Sequence, residues 1–268
     1  MKEIASQESS GPMPVLFVGH GSPMNAVEDT PWSRAWRALG EAIPRPRAVL
    51  CISAHWCTEG TFLTGEERPR TLHDFGGFPR RLYEIEYPAP GAPDLARRAA
   101  GLLGAHGAGL RTDWGLDHGA WSVLRHLVPQ ADVPVIQLSI DGRLPPEGHL
   151  QIGRSLAPLR REGVLLLASG NIVHNLHHAF GQWKEASPET PPWAAAFDAA
   201  AAKALEGRDE AFLLRALESE TGRMSHPTPE HYLPLLYAAG ATDEGAAVHF
   251  PAAGFDMGSL SMRSVLFG

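Results

Sequence analysis

The chain has 268 residues, 44% of them hydrophobic and 20% charged, with a formal net charge of −7. These values exclude a disordered or fibrous chain, and the length suits one large α/β domain, since single cores stop growing near ~250–300 residues. No basic stretch interrupts the acidic balance, which argues against nucleic acid as a partner, and no run approaches the ~20 apolar residues of a membrane span.

The opening MKEIASQESSGP is polar and lacks the apolar segment of a secretory signal, so residues 1–13 are expected to form a flexible N-terminal tail ahead of a domain at 14–268. Val15-Leu16-Phe17-Val18 then reads as a strand buried on both faces, closed by Gly19-His20-Gly21-Ser22-Pro23. The two glycines free the backbone to turn, and Pro23 cannot donate to a ladder. His20 is thereby placed at the C-terminal edge of a strand, where open α/β sheets keep their sites.

Trp32 to Leu39 carries apolar residues at helical spacing, and Ile43-Pro44-Arg45-Pro46 breaks the pattern. Ala48 to Ala54 is a second apolar strand, ending in His55-Trp56. Cys51 and Cys57 are too few for a disulfide framework, which fits a reduced, cytoplasmic setting. Gly60 to Pro90 is rich in glycine, proline and aromatics without lasting periodicity; a loop of that length in a compact domain is usually functional. Asp94 to Leu103 reads as a helix, and "WGLDHGAWSVLRHLVP" sets Asp117 and His118 just before another. Val133 to Ile140 is a strand and Gly148 to Arg160 a helix. Val164 to Ser169 is a third buried strand, which delivers Gly170 and, shortly after, His174. Trp193 to Leu205 and Asp209 to Leu217 are amphipathic helices. Pro229 suits a first helical position ahead of Tyr232 to Ala239. The final strands are Ala246 to Phe250 and Ser261 to Phe267.

The predicted architecture is a single α/β domain with a mostly parallel or mixed central sheet, helices on both faces and a metal site at the C-terminal ends of the strands. Of the 13 histidines, His106, His126, His149, His177, His178 and His249 sit in ordinary helix faces, loops or strand ends. Three strand ends each present a histidine, and a helix start adds His231 or His226. Clustered imidazoles point to a divalent ion, which neutral imidazole ligates well, whereas protonated neighbours repel.

"GHGSPMNAV", "SAHW", "HDFGGFP", "DHGAW", "ASGNIVHN" and "HPTPEHYLPL" occur in the order and spacing of the class III, LigB-like extradiol ring-opening dioxygenases, and the chain resembles the DOPA 4,5-dioxygenase type from about Pro14 to its end. The resemblance implies a non-haem Fe(II) centre, with Zn2+ expected in protein as purified. By motif position His20, His55 and His231 match metal ligands, and His174 an active-site acid/base that can also approach the metal. Relatives with two histidines and a glutamate draw attention to Glu230.

The chemistry of such an enzyme needs a neutral base for a catechol hydroxyl, and an imidazole with a pKa near ~6.5 can both take and return a proton. His174 is the first choice for that catalytic role and His118 the second, with Asp117 placed either to fix its tautomer or simply to cap the helix. Phe75 and Phe78 would line an aromatic substrate, and His226 would contact a substrate carboxylate. Ser22 and Asn175 are candidate supporting donors. The implied partners are a small catechol and O2. Two alternatives stand beside this reading: a zinc-dependent hydrolase, and a non-catalytic metal-binding or chelatase-like protein, since strand-Gly-His-Gly-Ser also resembles that setting. The oligomeric state is left open.

Overall fold

Alternation of buried faces sets the architecture. Along β1 (Val15–Gly19), Val15 and Phe17 join one apolar layer and Leu16 and Val18 the other, all without solvent exposure. A strand apolar on both sides must be covered twice. The chain is described by a computed structural model over residues 11–182 and 188–268, in which both covers are present.

The remaining strands are β2 (Ala48–Thr58), β3 (Phe62–Thr64), β4 (Gly109–Arg111), β5 (Val135–Asp141), β6 (Val164–Gly170), β7 (Val248–Ala252), β8 (Phe255–Asp256), β9 (Leu260–Ser261) and β10 (Ser264–Phe267). Eight of them form one sheet in the order β4-β3-β5-β2-β6-β1-β10-β7, while β8 and β9 pair separately. The centre, β5-β2-β6-β1, is parallel, and β10 and β7 add antiparallel pairs at one side. The sheet is therefore mixed, as expected.

The helices are α1 (Pro31–Ala42), α2 (Arg80–Tyr83), α3 (Pro93–Leu102), α4 (His118–Leu127), α5 (Pro146–Leu156), α6 (Leu176–Gly181), α7 (Pro192–Gly207), α8 (Glu210–Arg215), α9 (Glu220–Ser225) and α10 (Leu233–Gly240). α1 and α4 cover one face through Trp36, Leu39, Trp121 and Leu124, and α3, α5, α7 and α10 cover the other. Among the described residues no helix is long and apolar enough to cross a membrane.

Several sequence expectations are corrected. β2 does not stop before His55 but continues to Thr58, with its register against β5 shifting between Ile52 and Cys57. The apolar run alone could not show this, because polar residues follow it. Pro229 lies in a turn, and α10 begins at Leu233 with Pro234 in its first turn. The aromatic-rich stretch holds β3 and α2, and the last strands begin later and are broken by the β8–β9 hairpin. Residues 1–10 of the expected tail lie outside the described residues. Met13 is buried, with its N–H on the Arg160 carbonyl and its own carbonyl accepting the Arg160 Nε–H.

α5 and α10 cross through glycine. A Cβ on Gly153 would sit 2.2 Å from the Tyr237 carbonyl oxygen, and one on Gly240 would sit 2.1 Å from that of Leu150. Both obstacles are backbone. Gly153→Ala is expected to destabilise the fold by about 1–3 kcal/mol through overpacking, lowering the thermal midpoint by about 2–10 °C. An unchanged midpoint in calorimetry would show that the two helices can slide apart freely.

Candidate metal centre and active site

Five histidines from separate elements converge at one end of the parallel strands. His20 follows β1, with its N–H on the Gly170 carbonyl at 3.0 Å. His55 lies within β2, inside the stretch where the register shifts. His118 is the first residue of α4. His174 follows β6, its N–H on the Ser225 carbonyl, and pairs with Leu260 of the hairpin. His231 sits in the turn before α10, and its carbonyl accepts the Asn171 N–H. A Cβ on Gly170 would come within 2.2 Å of that carbonyl oxygen, so a residue without a side chain is what lets this segment lie against the end of β6.

The rings form one contiguous cluster. His55 and His118 have centroids 3.9 Å apart, His20 lies 5.0 Å from His55 and 5.5 Å from His118, and His231 lies 5.4 Å from His20. His174 stacks on His231 at 3.5 Å with an interplanar angle of 3°. One nitrogen each from His20, His55 and His118 fall within 4.8 Å of one another.

Proton placement decides what this cluster can hold. Ser169 Oγ donates its single proton to the Gly119 carbonyl at 2.6 Å, so at 3.0 Å it can only accept from His20 Nδ1–H. His20 Nε2 is then a lone pair. The Asp74 carboxylate accepts from His118 Nδ1 at 3.0 Å, which turns the other ring nitrogen of His118, Nε2, away from it, and the same oxygen lies 3.3 Å from His55 Nδ1. His20 Nε2 and His55 Nε2 face each other at 3.0 Å, close enough for one ion to be held between them. His231 is buried with no hydrogen-bond partner at either ring nitrogen. Burial, then the neighbouring imidazoles, hold His20 and His231 well below the usual histidine range, and burial does the same for His55. Converging lone pairs on imidazoles that resist protonation fit a divalent cation.

Asp74, not Asp117, orients His118. It also accepts the His118 backbone N–H at 2.8 Å through its other oxygen. Although burial opposes it, the hydrogen bonds from His118 and the electrostatic pull of the two imidazoles hold its carboxyl down at about 2. Asp117 caps α4 by accepting Ala120 N–H, and its oxygens also take Ser53 Oγ–H at 2.6 Å and Gln137 Nε2–H at 2.7 Å. None of these three bonds goes to an imidazole. In "HDFGGFP" the aromatics dominate the pattern and hide the carboxylate between His73 and Phe75. Ser169, at the end of a buried strand, carries no sequence signal at all.

Phe75 stands edge-on to His118 at 5.5 Å and packs on Tyr83 and on Phe78. His226 is buried against Phe197 and Tyr232 with Nε2–H on the Ile172 carbonyl, and its Nδ1 has no hydrogen-bond partner. Glu230 accepts the Thr228 hydroxyl and stays 3.6 Å from His231 Nδ1. Ser22 caps the short 3-10 turn Pro23–Ala26, and Asn175 caps α6 through Oδ1 while its Nδ2–H binds the Met224 carbonyl, so both side chains are engaged with backbone.

Neutral burial has a signed consequence. His226 and His149 are held at about 4 and His174 at about 3, each mainly by loss of water, whereas an unfolded histidine titrates near ~6.5. The unfolded chain takes up protons that the fold refuses. Stability is therefore full above about pH 6.5 and falls as pH drops toward about 4. Urea midpoints of metal-free protein are expected to decline from about pH 7 to about pH 5, each such histidine contributing up to about 1.4 kcal/mol per pH unit. A flat profile would show that these imidazoles are hydrated in the fold.

The profile of the catalytic LigB subunit of aromatic ring-opening dioxygenase matches residues 14–267. The 4,5-DOPA dioxygenase extradiol of Escherichia coli is 49% identical over 265 residues, covering 97% of this chain and 96% of the relative. The 4,5-DOPA dioxygenase extradiol of Beta vulgaris is 39% identical over 262 residues, covering 94% and 95% respectively. A crystal structure of an uncharacterized Escherichia coli protein superposes with a TM-score of 0.83 at 45% identity, covering 96% of this chain and 100% of that one. With its histidine cluster set at the end of a mixed α/β sheet and the match running nearly end to end, the chain belongs to the LigB family of aromatic ring-opening dioxygenases.

Proposed function

We propose that the protein is a non-haem Fe(II)-dependent extradiol dioxygenase that opens the ring of a DOPA-like catechol with O2. The observation that carries this reading is the pair of inward Nε2 atoms on His20 and His55, 3.0 Å apart, beside the unpartnered nitrogens of His231. His20, His55 and His231 would hold the ion. The chemistry an Fe(II) ion supplies there is Lewis-acid chelation of a catechol's two oxygens and electrons for O2. The names of the Escherichia coli and Beta vulgaris relatives support DOPA-like substrates. Cys51 and Cys57 are free thiols, in keeping with a cytoplasmic setting.

The chain's own residues have separable tasks. His174, neutral because burial removes its water, is ready to accept a catechol hydroxyl proton, and the anion formed beside it raises its affinity for that proton. Its face is fixed by stacking on His231. His118, oriented by Asp74, is a second proton acceptor. Phe75 and Phe78 form an apolar wall for the ring, on a loop whose Gly76 and Gly77 have no neighbour within 4 Å of a built Cβ.

Oxygen uptake decides the reaction class. Stripped protein reloaded anaerobically with Fe(II) is expected to consume O2 with L-DOPA or simple catechols and form a yellow semialdehyde, and the Zn2+-loaded form is expected to do neither. Turnover of an ester or amide by the zinc form without O2 would instead select a hydrolase. Since Zn2+ exceeds Fe2+ in affinity for such sites, protein as isolated is expected to carry zinc.

Single substitutions then separate ligands from proton carriers. His55→Ala and His231→Ala are expected to lose stoichiometric metal. His174→Ala and His118→Ala are expected to retain it while kcat falls by about 10²–10⁴. Full metal content in His231→Ala together with loss in His118→Ala would transfer the third ligand position to His118.

A further inference from the structure

We propose that Asp74 is a positioning residue shared by two imidazoles of the centre, holding His55 with Nε2 turned toward the metal and His118 in place as a proton acceptor. The inference rests on the metal reading above and adds a residue to it. Its observations are geometric. One Asp74 oxygen accepts the His118 backbone N–H at 2.8 Å, and the other lies 3.0 Å from His118 Nδ1 and 3.3 Å from His55 Nδ1. A single carboxylate therefore faces two rings whose centroids are 3.9 Å apart.

A bland explanation is available, in which Asp74 simply satisfies the start of α4. That accounts for one Asp74 oxygen only, which takes the His118 N–H while Asp117, the N-cap, accepts the Ala120 N–H. What Asp74 contributes beyond Asp117 is its second oxygen, and that oxygen is spent on imidazoles. The next residue, Phe75, leans edge-on against the same His118 ring. Consecutive residues of one loop thus set the proton position of His118 and wall off its side.

An amide in place of the carboxylate separates the two roles. If the amide introduced by Asp74→Asn turned its oxygen to the rings, its NH2 would confront the His118 backbone N–H, donor against donor. If it turned its NH2 to the rings, both would have to present a lone pair at Nδ1 and carry the proton on Nε2, the metal-facing atom. The second arrangement keeps the His118 N–H on the amide oxygen and is the one expected; it takes the inward lone pair of His55 from the metal, whereas the size and shape of the side chain are unchanged.

The test measures metal rather than turnover. Stripped wild type, Asp74→Asn and the surface control Asp94→Asn, whose native carboxylate pairs with Arg97 on α3, are titrated with Zn2+ against a chromophoric chelator. Each is also loaded with Co2+ for its visible spectrum, and thermal midpoints are taken without metal. Wild type and Asp94→Asn are expected to bind alike. Asp74→Asn is expected to bind about 10–100-fold more weakly, with an altered Co2+ spectrum and an unchanged midpoint. Wild-type affinity and spectrum in Asp74→Asn would overturn the role given to Asp74 while leaving the metal centre standing. Failure of wild type itself to bind Zn2+ or Co2+ would overturn the metal reading and this inference with it. If Asp74→Asn does not fold, Asp74→Ser, which removes the shared acceptor without a fixed donor, is read on the same two scales.

Discussion

Everything at this site depends on keeping several imidazoles neutral, packed and aimed at one another. A cluster of protonated rings would repel, and hydrated rings would not hold fixed directions. Burial removes both options, and it then obliges every inward nitrogen to find a partner. The surrounding residues are arranged to leave the outer nitrogens satisfied and the inner ones free. Ser169 does this for His20 by spending its own proton on the Gly119 carbonyl, and Asp74 does it for His118. The inner Nε2 atoms of His20 and His55 are left with each other, beside a His231 whose ring nitrogens have no partner, an arrangement that suits a cation.

Two carboxylates stand close to this cluster, and their environments divide their work. Asp117 is wholly buried; loss of water and the charge of Asp74 push its pKa up, while Ser53 and Gln137 bind its oxygens. Gln137 also accepts the Asp117 backbone N–H, which ties the start of α4 to β5 in both directions. Asp74 has charged or chargeable partners instead and stays ionised. One carboxylate thus anchors the helix that presents His118, and the other orients the ring itself. Both add negative potential next to the place where a divalent ion would sit.

Much of this is legible in the sequence. The buried strands at Val15, Ala48 and Val164 stand out as apolar runs, and the glycine-histidine endings mark where the sheet delivers functional groups. Adjacency misleads at Asp117, because an N-cap side chain turns back onto its own helix rather than toward the residue that follows. The true partner of His118 lies 44 positions earlier. Nothing in a pattern of propensities encodes such a distance. Short strands such as β3, β4, β8 and β9 have too few residues to display a period, and their pairing is fixed by their neighbours. Pro229 carries the signature of a helix start as fairly as Pro234 does, and only the hydrogen bonds of the turn separate them.

The course of β2 beyond His55 bears on how such an enzyme can change over time. Because the strand rejoins β5 at Cys57 and Thr58 after its irregularity, the histidine is clamped by sheet on both sides. The strand fixes where the backbone of His55 sits, and the connection that follows, through Asp74, bears on how its ring is turned. Anchorage and orientation of one imidazole are thus carried by two separate segments, so a change in the connection can retune the ring without moving its anchor.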